Sequence, residues 1–238
     1  MYTVSTVHSK GGCGKSTVAI NIARALQLRS LDVAMLDTDK QSTAQNWRAS
    51  GSEELLPVFG VEKPSNLEST AEGLADAFDV AVIDGGAHLQ EMHAAIIKQS
   101  DLVLIPIQPS PGDIWPTETI VDLIKARQQV AGGPEAAFVI NRRKQGTRLG
   151  KATEEALRQF DMPVWDGTAD RVAYAEALGN GISVVESSNN KAAAEVEAIT
   201  DNVIETLSTN GRRYPTWICI FRFCSKEARC IGAETRGE

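Results

Sequence analysis

A short β-branched segment, Tyr2–His8, runs into Lys10-Gly11-Gly12-Cys13-Gly14-Lys15-Ser16-Thr17, and an apolar-faced helical pattern follows at once. No other feature of the chain constrains its fold as strongly. Glycines at 11, 12 and 14 let successive backbone N–H groups curl towards one point. The helix opening behind them adds the partial positive charge of its N-terminus. A strand, such a turn and a helix together make a phosphate cradle. Within it, Lys15 is placed to bridge outer phosphates, the Ser16 hydroxyl to hold Mg²⁺, and Thr17 to donate to an inner phosphate.

The rest of the chain alternates in the same way. Lys15–Leu28 puts Val18, Ile22, Ala25 and Leu26 on one helical face. Val33–Asp37 reads as a strand and Gln41–Arg48 as a short helix, while Glu53–Asn66 is weakly patterned around a possible strand at Leu56–Val61. Asp79–Asp84 and Asp101–Ile107 are continuous apolar runs, as expected of strands covered on both faces. The pattern predicts a helix over Ile114–Val130, a strand over Ala136–Asn141 and a helix over Lys151–Phe160. It ends with a strand over Val164–Thr168 and an amphipathic helix over Ala192–Leu207. Strands spaced by helices imply an α/β fold: a mostly parallel twisted sheet flanked by helices on both faces, with ligands beyond the carboxyl ends of the strands.

The phosphate loop departs from G-x-x-x-x-G-K-[ST], because Ser9 stands where the first glycine belongs. The pattern present is K-G-G-x-G-K-[ST], with an additional lysine, Lys10. It resembles the deviant Walker A motif of the ParA/MinD family of P-loop ATPases. Leu36-Asp37-Thr38-Asp39-Lys40-Gln41 resembles that family's D-x-D-P-Q element, with Lys40 in place of proline. Val80–Asp84 followed by Gly85-Gly86 resembles a Walker B strand, and Ile105-Pro106-Ile107-Gln108-Pro109-Ser110-Pro111 is similar to small plasmid-type ParA proteins.

The resemblance covers residues 2–208 and implies ATP/ADP and Mg²⁺ as cofactors. Lys10, Gly11, Gly12, Cys13, Gly14, Lys15, Ser16 and Thr17 would hold the nucleotide. Ser16, Asp37 and Asp84 would stand around the metal, and Asp39 would position the attacking water. Lys10, Lys15 and Asp39 are thus the candidate catalytic residues. Lys10 would reach the partner's phosphates across a homodimer bridged by ATP, a switch that hydrolysis releases. Asn141 matches a position that reads the adenine edge; as a residue ending a strand it fits a turn equally well. Cys13 reads as a small space-filling residue, although a helix start tends to lower a thiol pKa.

Net charge bears on partners only once it is divided along the chain. The total is −7 over 238 residues, but residues 209–238 hold six basic and three acidic side chains. Within the acidic remainder, Arg142, Arg143, Lys144, Arg148 and Lys151 form a basic island free of acids. Such a cluster is either a solvated face or a surface for the phosphates of nonspecific DNA; the family resemblance favours DNA. Arg171 and Lys191 would extend it if the fold brings them near.

The composition break near Asn210 divides a P-loop ATPase domain, 1–208, from a tail, 209–238. The tail carries Cys219, Cys224 and Cys230, whose spacing matches no zinc pattern, and the apolar stretch Trp217–Phe223. An interaction tail, a weak membrane contact and a read-through end all fit it. No apolar run of about 18 residues, signal peptide or helix-turn-helix extension is read, so the chain is expected to be cytoplasmic, without stable membrane association, and the family resemblance implies that it is nucleoid-associated.

By resemblance the expected function is plasmid or chromosome partition: an ATP dimer on nonspecific DNA, released when a ParB-like centromere-binding protein stimulates hydrolysis. The alternatives are a ParA-like ATPase that positions a protein cargo, a MinD-like membrane-recruited division regulator, and a small-molecule enzyme on the same scaffold. The four acids in Ala192–Leu207 count against the MinD-like reading.

Overall fold

The computed structural model describes residues 1–87, 90–144 and 147–209. Its elements alternate along the chain as β1 (Tyr2–Thr6), α1 (Lys15–Leu28), β2 (Val33–Asp37), α2 (Thr43–Ser50), β3 (Val58–Gly60) and α3 (Pro64–Leu74). There follow β4 (Val80–Asp84), α4 (Gln90–Gln99), β5 (Leu102–Ile107), α5 (Pro111–Ile114) and α6 (Thr117–Ala131). The last are β6 (Glu135–Ile140), α7 (Arg148–Arg158), β7 (Val164–Asp166), α8 (Val172–Gly179) and α9 (Asn190–Thr209). The seven strands form one sheet in the order β3-β2-β4-β1-β5-β6-β7, and every pairing is parallel. The expected fold class is therefore the observed one.

Alternate residues of the strands feed opposite faces, which is why the strands read as unbroken apolar runs. Val4, Met35, Val82, Leu104 and Val139 pack beneath α1, α2 and α9, against Val18, Ile22, Leu26, Trp47, Ile199, Val203 and Leu207. Leu36, Ile83, Val103, Ile105 and Phe138 pack on the other face against α3, α4, α6 and α7, through Leu67, Met92, Ile96, Ile120, Ile124 and Leu157.

Three helices, α3, α4 and α8, stand where the sequence pattern predicted none. The buried faces of α3 and α8 are short, Leu67 and Ala71 in the one and Tyr174 and Ala177 in the other, whereas α4 buries Met92, His93, Ile96 and Ile97. The helix predicted from Ile114 is also broken, at Trp115-Pro116. Pro116 has no N–H to continue the turn of α5, and the Thr117 hydroxyl donates to the Asp113 carbonyl instead (2.8 Å). Pro106 sits inside β5 without loss. Leu104 faces β1 and Ile107 faces β6, so Pro106 turns towards β1, which has already ended.

The order places β1 at the centre, with β4 on one side and β5 on the other. Chain reversal on either side of β1 opens a crevice at the carboxyl ends, which is where ligands sit in such sheets. The phosphate loop, the loop after β2 and the loop after β5 all reach this edge. The tail from residue 210, with Cys219, Cys224, Cys230 and Trp217–Phe223, lies outside the described residues.

Candidate functional site

The loop between β1 and α1 owes its shape to left-handed glycines and to neighbours that grip its carbonyls. Gly14 has φ +97°, and a Cβ there would lie 1.8 Å from the Asn141 amide nitrogen, so only glycine fits. That amide donates to the Cys13 carbonyl (2.8 Å). On the other flank, the Gln108 amide donates to the Gly12 carbonyl (2.6 Å). With its carbonyls turned outward to β5 and β6, the loop leaves its N–H groups for a ligand. Helix α1 starts without a side-chain cap or an acidic residue in its first turn. Its first N–H groups are therefore an anion site by construction.

Lys15 is buried, and its ammonium donates to the Lys10 carbonyl (3.0 Å), closing the loop on itself. The Cys13 thiol lies beneath, 4.0 Å from that ammonium, fully buried. Burial pushes the thiol pKa up, against the fall that its place at a helix start suggested. Cys13 is a space-filling residue here.

Strand register brings Asp37 and Asp84 directly opposite each other at the ends of β2 and β4. Their environments differ sharply. One oxygen of Asp37 accepts from the Asp39 N–H (3.0 Å), and the other from the Ala44 and Gln45 N–H groups (both 3.1 Å). Asp37 thus caps α2 from a distance, since Ser42 gives that helix no side-chain cap. Neither carboxylate oxygen of Asp84 has a hydrogen-bond partner, although both are buried. Burial pushes its pKa up to about 7, with the nearby Ser16 hydroxyl acting in the opposite direction. Ser16, Asp84 and Asp37 are therefore brought together, and the open valence lies on Asp84. An orphaned buried carboxylate beside a serine hydroxyl suits a divalent cation that keeps several waters.

Asp39 is half-buried and accepts from the Gln41 N–H (3.0 Å), a side-chain turn that compensates for the absent proline at Lys40. It borders a cleft of about 820 Å³ with Thr38, Lys63 and Asn66. The Thr38 hydroxyl donates to the Asp84 carbonyl (2.8 Å) and accepts from the Gly86 N–H (3.1 Å), so the loops after β2 and β4 are bolted together.

Lys10 turns back into its own chain. Its ammonium pairs with Asp113 (2.9 Å), whose side chain is 1% exposed. Buried His8 joins the same cluster: its Nδ1 accepts from the Lys10 N–H (2.9 Å), so its Nε2 carries the proton and donates to the Asp113 carbonyl (3.1 Å). Burial lowers the His8 pKa to about 4, which keeps the ring neutral.

A family model described as the CobQ/CobB/MinD/ParA nucleotide binding domain matches residues 4–184. The chain belongs to that family. Among relatives, the Maintenance of carboxysome distribution protein A of Halothiobacillus neapolitanus is 27% identical over 85% of this chain and 96% of its own length. Protein ParA of Rhizobium radiobacter is 31% identical over 48% of this chain and 51% of its own. A Cyanothece McdA–ATP complex has the same fold at 18% identity, with TM-score 0.69 over 87% of this chain and 96% of that one. Pyrococcus furiosus MinD matches at 19% identity, with TM-score 0.68 over 86% of this chain and 98% of that one. The ParA/MinD resemblance and the P-loop fold read from the motifs are thus the ones found.

In this member of the MinD/ParA family, Asn141 is buried below the loop. Its carbonyl oxygen accepts from the Thr168 hydroxyl and the Arg142 N–H, while its amide holds Cys13. This geometry clamps the loop through one amide N–H.

The basic island is partly neutralised. Arg142 pairs with Asp170 (3.3 Å), Arg143 with Asp166, and Arg171 with Glu195 (2.6 Å). Lys144 and Lys151 are exposed, and the Arg148 side chain lies outside the described ones. Asp166 and Asp170 come from β7 and its following loop and Glu195 from α9, each 23 to 28 residues beyond its arginine, so nothing in the local sequence marks them. Asp113, Gln108, Thr38 and His8 were also missed as site residues. The proline-rich stretch that ends at Pro111 was the available signal for Gln108.

No helix among the described residues is long and apolar enough to cross a membrane.

Proposed function

We propose that this chain is a Mg²⁺-dependent ATPase of the ParA type whose ATP-bound dimer positions a protein cargo. The carrying observation is coverage. Similarity to the carboxysome distribution proteins runs over 85% and 88% of the chain, at 27% identity in both cases. Sequence similarity to Protein ParA of Rhizobium radiobacter and to Protein virC1 of Rhizobium rhizogenes runs over 48% and 44% of it.

The site residues take the following parts in that reading. Freed N–H groups of the loop and of α1 bind the phosphates, and Lys15 leaves the Lys10 carbonyl to neutralise the outer ones. Ser16 and Asp84 would hold Mg²⁺, whose charge offsets that of the phosphates and of Asp84 itself. Asp37 fixes the loop that carries Asp39, and Asp39 orients the attacking water. Lys10 crosses to the phosphates bound by a second copy. Hydrolysis removes charge at that junction and separates the copies. Nonspecific DNA is the proposed track, with Lys144 and Lys151 as its exposed contacts.

The test is sedimentation and DNA retention of the purified chain with ATP, ADP and no nucleotide. Self-association and retention with ATP alone are expected, and nucleotide-independent behaviour refutes the switch. Deleting the gene should disperse or cluster a protein body while leaving plasmid inheritance intact.

Plasmid or chromosome partition, with a ParB-like centromere-binding partner, is the second reading. It is favoured by the 31% identity to Protein ParA over the matched segment. Plasmid loss in the deletion strain, with protein bodies undisturbed, would select it.

A further inference from the structure

We propose that Asp113 is the positioning residue for Lys10: it holds the ammonium in its own chain until bound nucleotide and a second copy draw it away. The proposal rests on the reading above in which Lys10 crosses to a second copy.

Lys10 is held at both ends. Its carbonyl accepts from the Lys15 ammonium (3.0 Å), and its own ammonium pairs with Asp113 (2.9 Å). When Lys15 turns to a phosphate, the first hold is released. The second is independent of Lys15 and remains. Asp113 can maintain it because α5 is fixed at its base. The Asp113 carbonyl accepts from His8 Nε2 (3.1 Å) and from the Thr117 hydroxyl (2.8 Å), and the Ser9 hydroxyl donates to the Pro116 carbonyl (3.2 Å).

The partners differ in exposure, and this gives the latch its direction. The Lys10 side chain is 41% exposed and can swing into solvent, whereas that of Asp113 is 1% exposed and cannot follow. One Asp113 oxygen is buried without a hydrogen-bond partner, so the Lys10 ammonium is its main compensation. Departure of Lys10 leaves a buried carboxylate uncompensated, a state that is strongly disfavoured. Lys10 therefore leaves only for a stronger anion, such as the polyphosphate presented by a second copy. The neighbouring Trp115 is 76% exposed on the same turn and marks this edge as open to such a copy.

The experiment uses the full chain with Mg²⁺ and a titration of ATP, with dimer followed by sedimentation velocity. A fluorescent ATP analogue, at protein concentrations too low for dimer, measures monomer affinity. Asp113→Asn should lower the ATP concentration at half-dimerisation about tenfold, equivalent to about 1.4 kcal/mol. Monomer affinity should be unchanged, and Asp113→Glu should restore the wild-type midpoint. An unchanged or raised midpoint in Asp113→Asn overturns the latch. Lys10→Ala should not dimerise. If it dimerises like the wild type, the crossing role of Lys10 itself fails, and the latch with it. A wild-type measurement needs no variant to fold: in nucleotide-free protein, an amine-acylating reagent should modify Lys10 several-fold more slowly than exposed Lys40. Equal rates would overturn the proposal.

Discussion

The side-chain amide of Asn141 donates to the Cys13 carbonyl across 2.8 Å, and through that bond the end of β6 holds the crest of the phosphate loop. The same side chain occupies the space that a Cβ on Gly14 would need. Asn141→Ala should therefore loosen the loop as a whole. Losing one buried hydrogen bond and leaving its partner unpaired costs about 1–3 kcal/mol. Affinity for ATP and GTP should fall together, by about tenfold, in equilibrium binding. A loss confined to ATP would instead place Asn141 at a base edge.

The central fold was legible because its signals are local. Continuous apolar strands, a glycine turn and α1 sit next to one another in the chain, and the observed bounds of α1 and β2 are those predicted. Helices α3 and α8 were not legible, because each buries only two residues, whereas α4 buries Met92, His93, Ile96 and Ile97 at helical spacing and was overlooked. The site divides the same way. Lys15, Ser16 and Asp84 announce themselves by motif. The engagements of Asn141 with Thr168, Arg143 with Asp166 and Lys10 with Asp113 join residues 23 to 103 positions apart. No periodicity encodes such pairs, since register and loop path create them.

His8 and Asp84 should tilt the stability profile of the nucleotide-free, metal-free protein in opposite directions. The folded-state pKa of His8 is about 4, below its ordinary 6.5, so the unfolded chain binds the extra proton between those values. Stability from His8 is present above pH 6.5 and lost as pH falls towards 4, on the order of 3 kcal/mol. Asp84 does the reverse: with a folded value of about 7 against 3.8, the native state binds the extra proton. Its contribution declines as pH rises from about 4 to 7. Urea melts across this range should give Asp84→Asn a steeper rise with pH than the wild type, and His8→Gln a shallower one or a fall. Three parallel profiles would contradict both assignments.

Asp39→Ala should separate binding from turnover. Asp39 touches neither the phosphate loop nor Asp84 through any hydrogen bond among the described residues; its carboxylate only closes the turn onto Gln41. Asp37, Ala44 and Gln45 keep the rest of that loop in place. ATP affinity should remain within about twofold, while phosphate release falls roughly a hundredfold or more. The ATP-bound dimer should then persist in sedimentation. Normal phosphate release from the variant would remove Asp39 from the chemistry.

Charge compensation in the basic island makes the last prediction specific. Nonspecific DNA binding scales with the phosphates neutralised, and each contact contributes about −0.9 to the log–log salt slope. Arg143 is held by Asp166 and Arg142 by Asp170, so neither is free to release counterions from DNA. Lys144 and Lys151 are exposed and carry no such partner among the described residues. Lys144→Ala with Lys151→Ala should therefore flatten the salt slope by about two, whereas Arg143→Ala should change it little. Asp166→Asn should act in the other direction, steepening the slope and tightening DNA retention by freeing Arg143. Asp166 lies at the end of β7 and its side chain is 86% exposed, so the substitution leaves the sheet intact. If Asp166→Asn leaves retention and slope at wild-type values, Arg143 does not face the DNA; if the double lysine variant also leaves the slope unchanged, the island is a solvated surface.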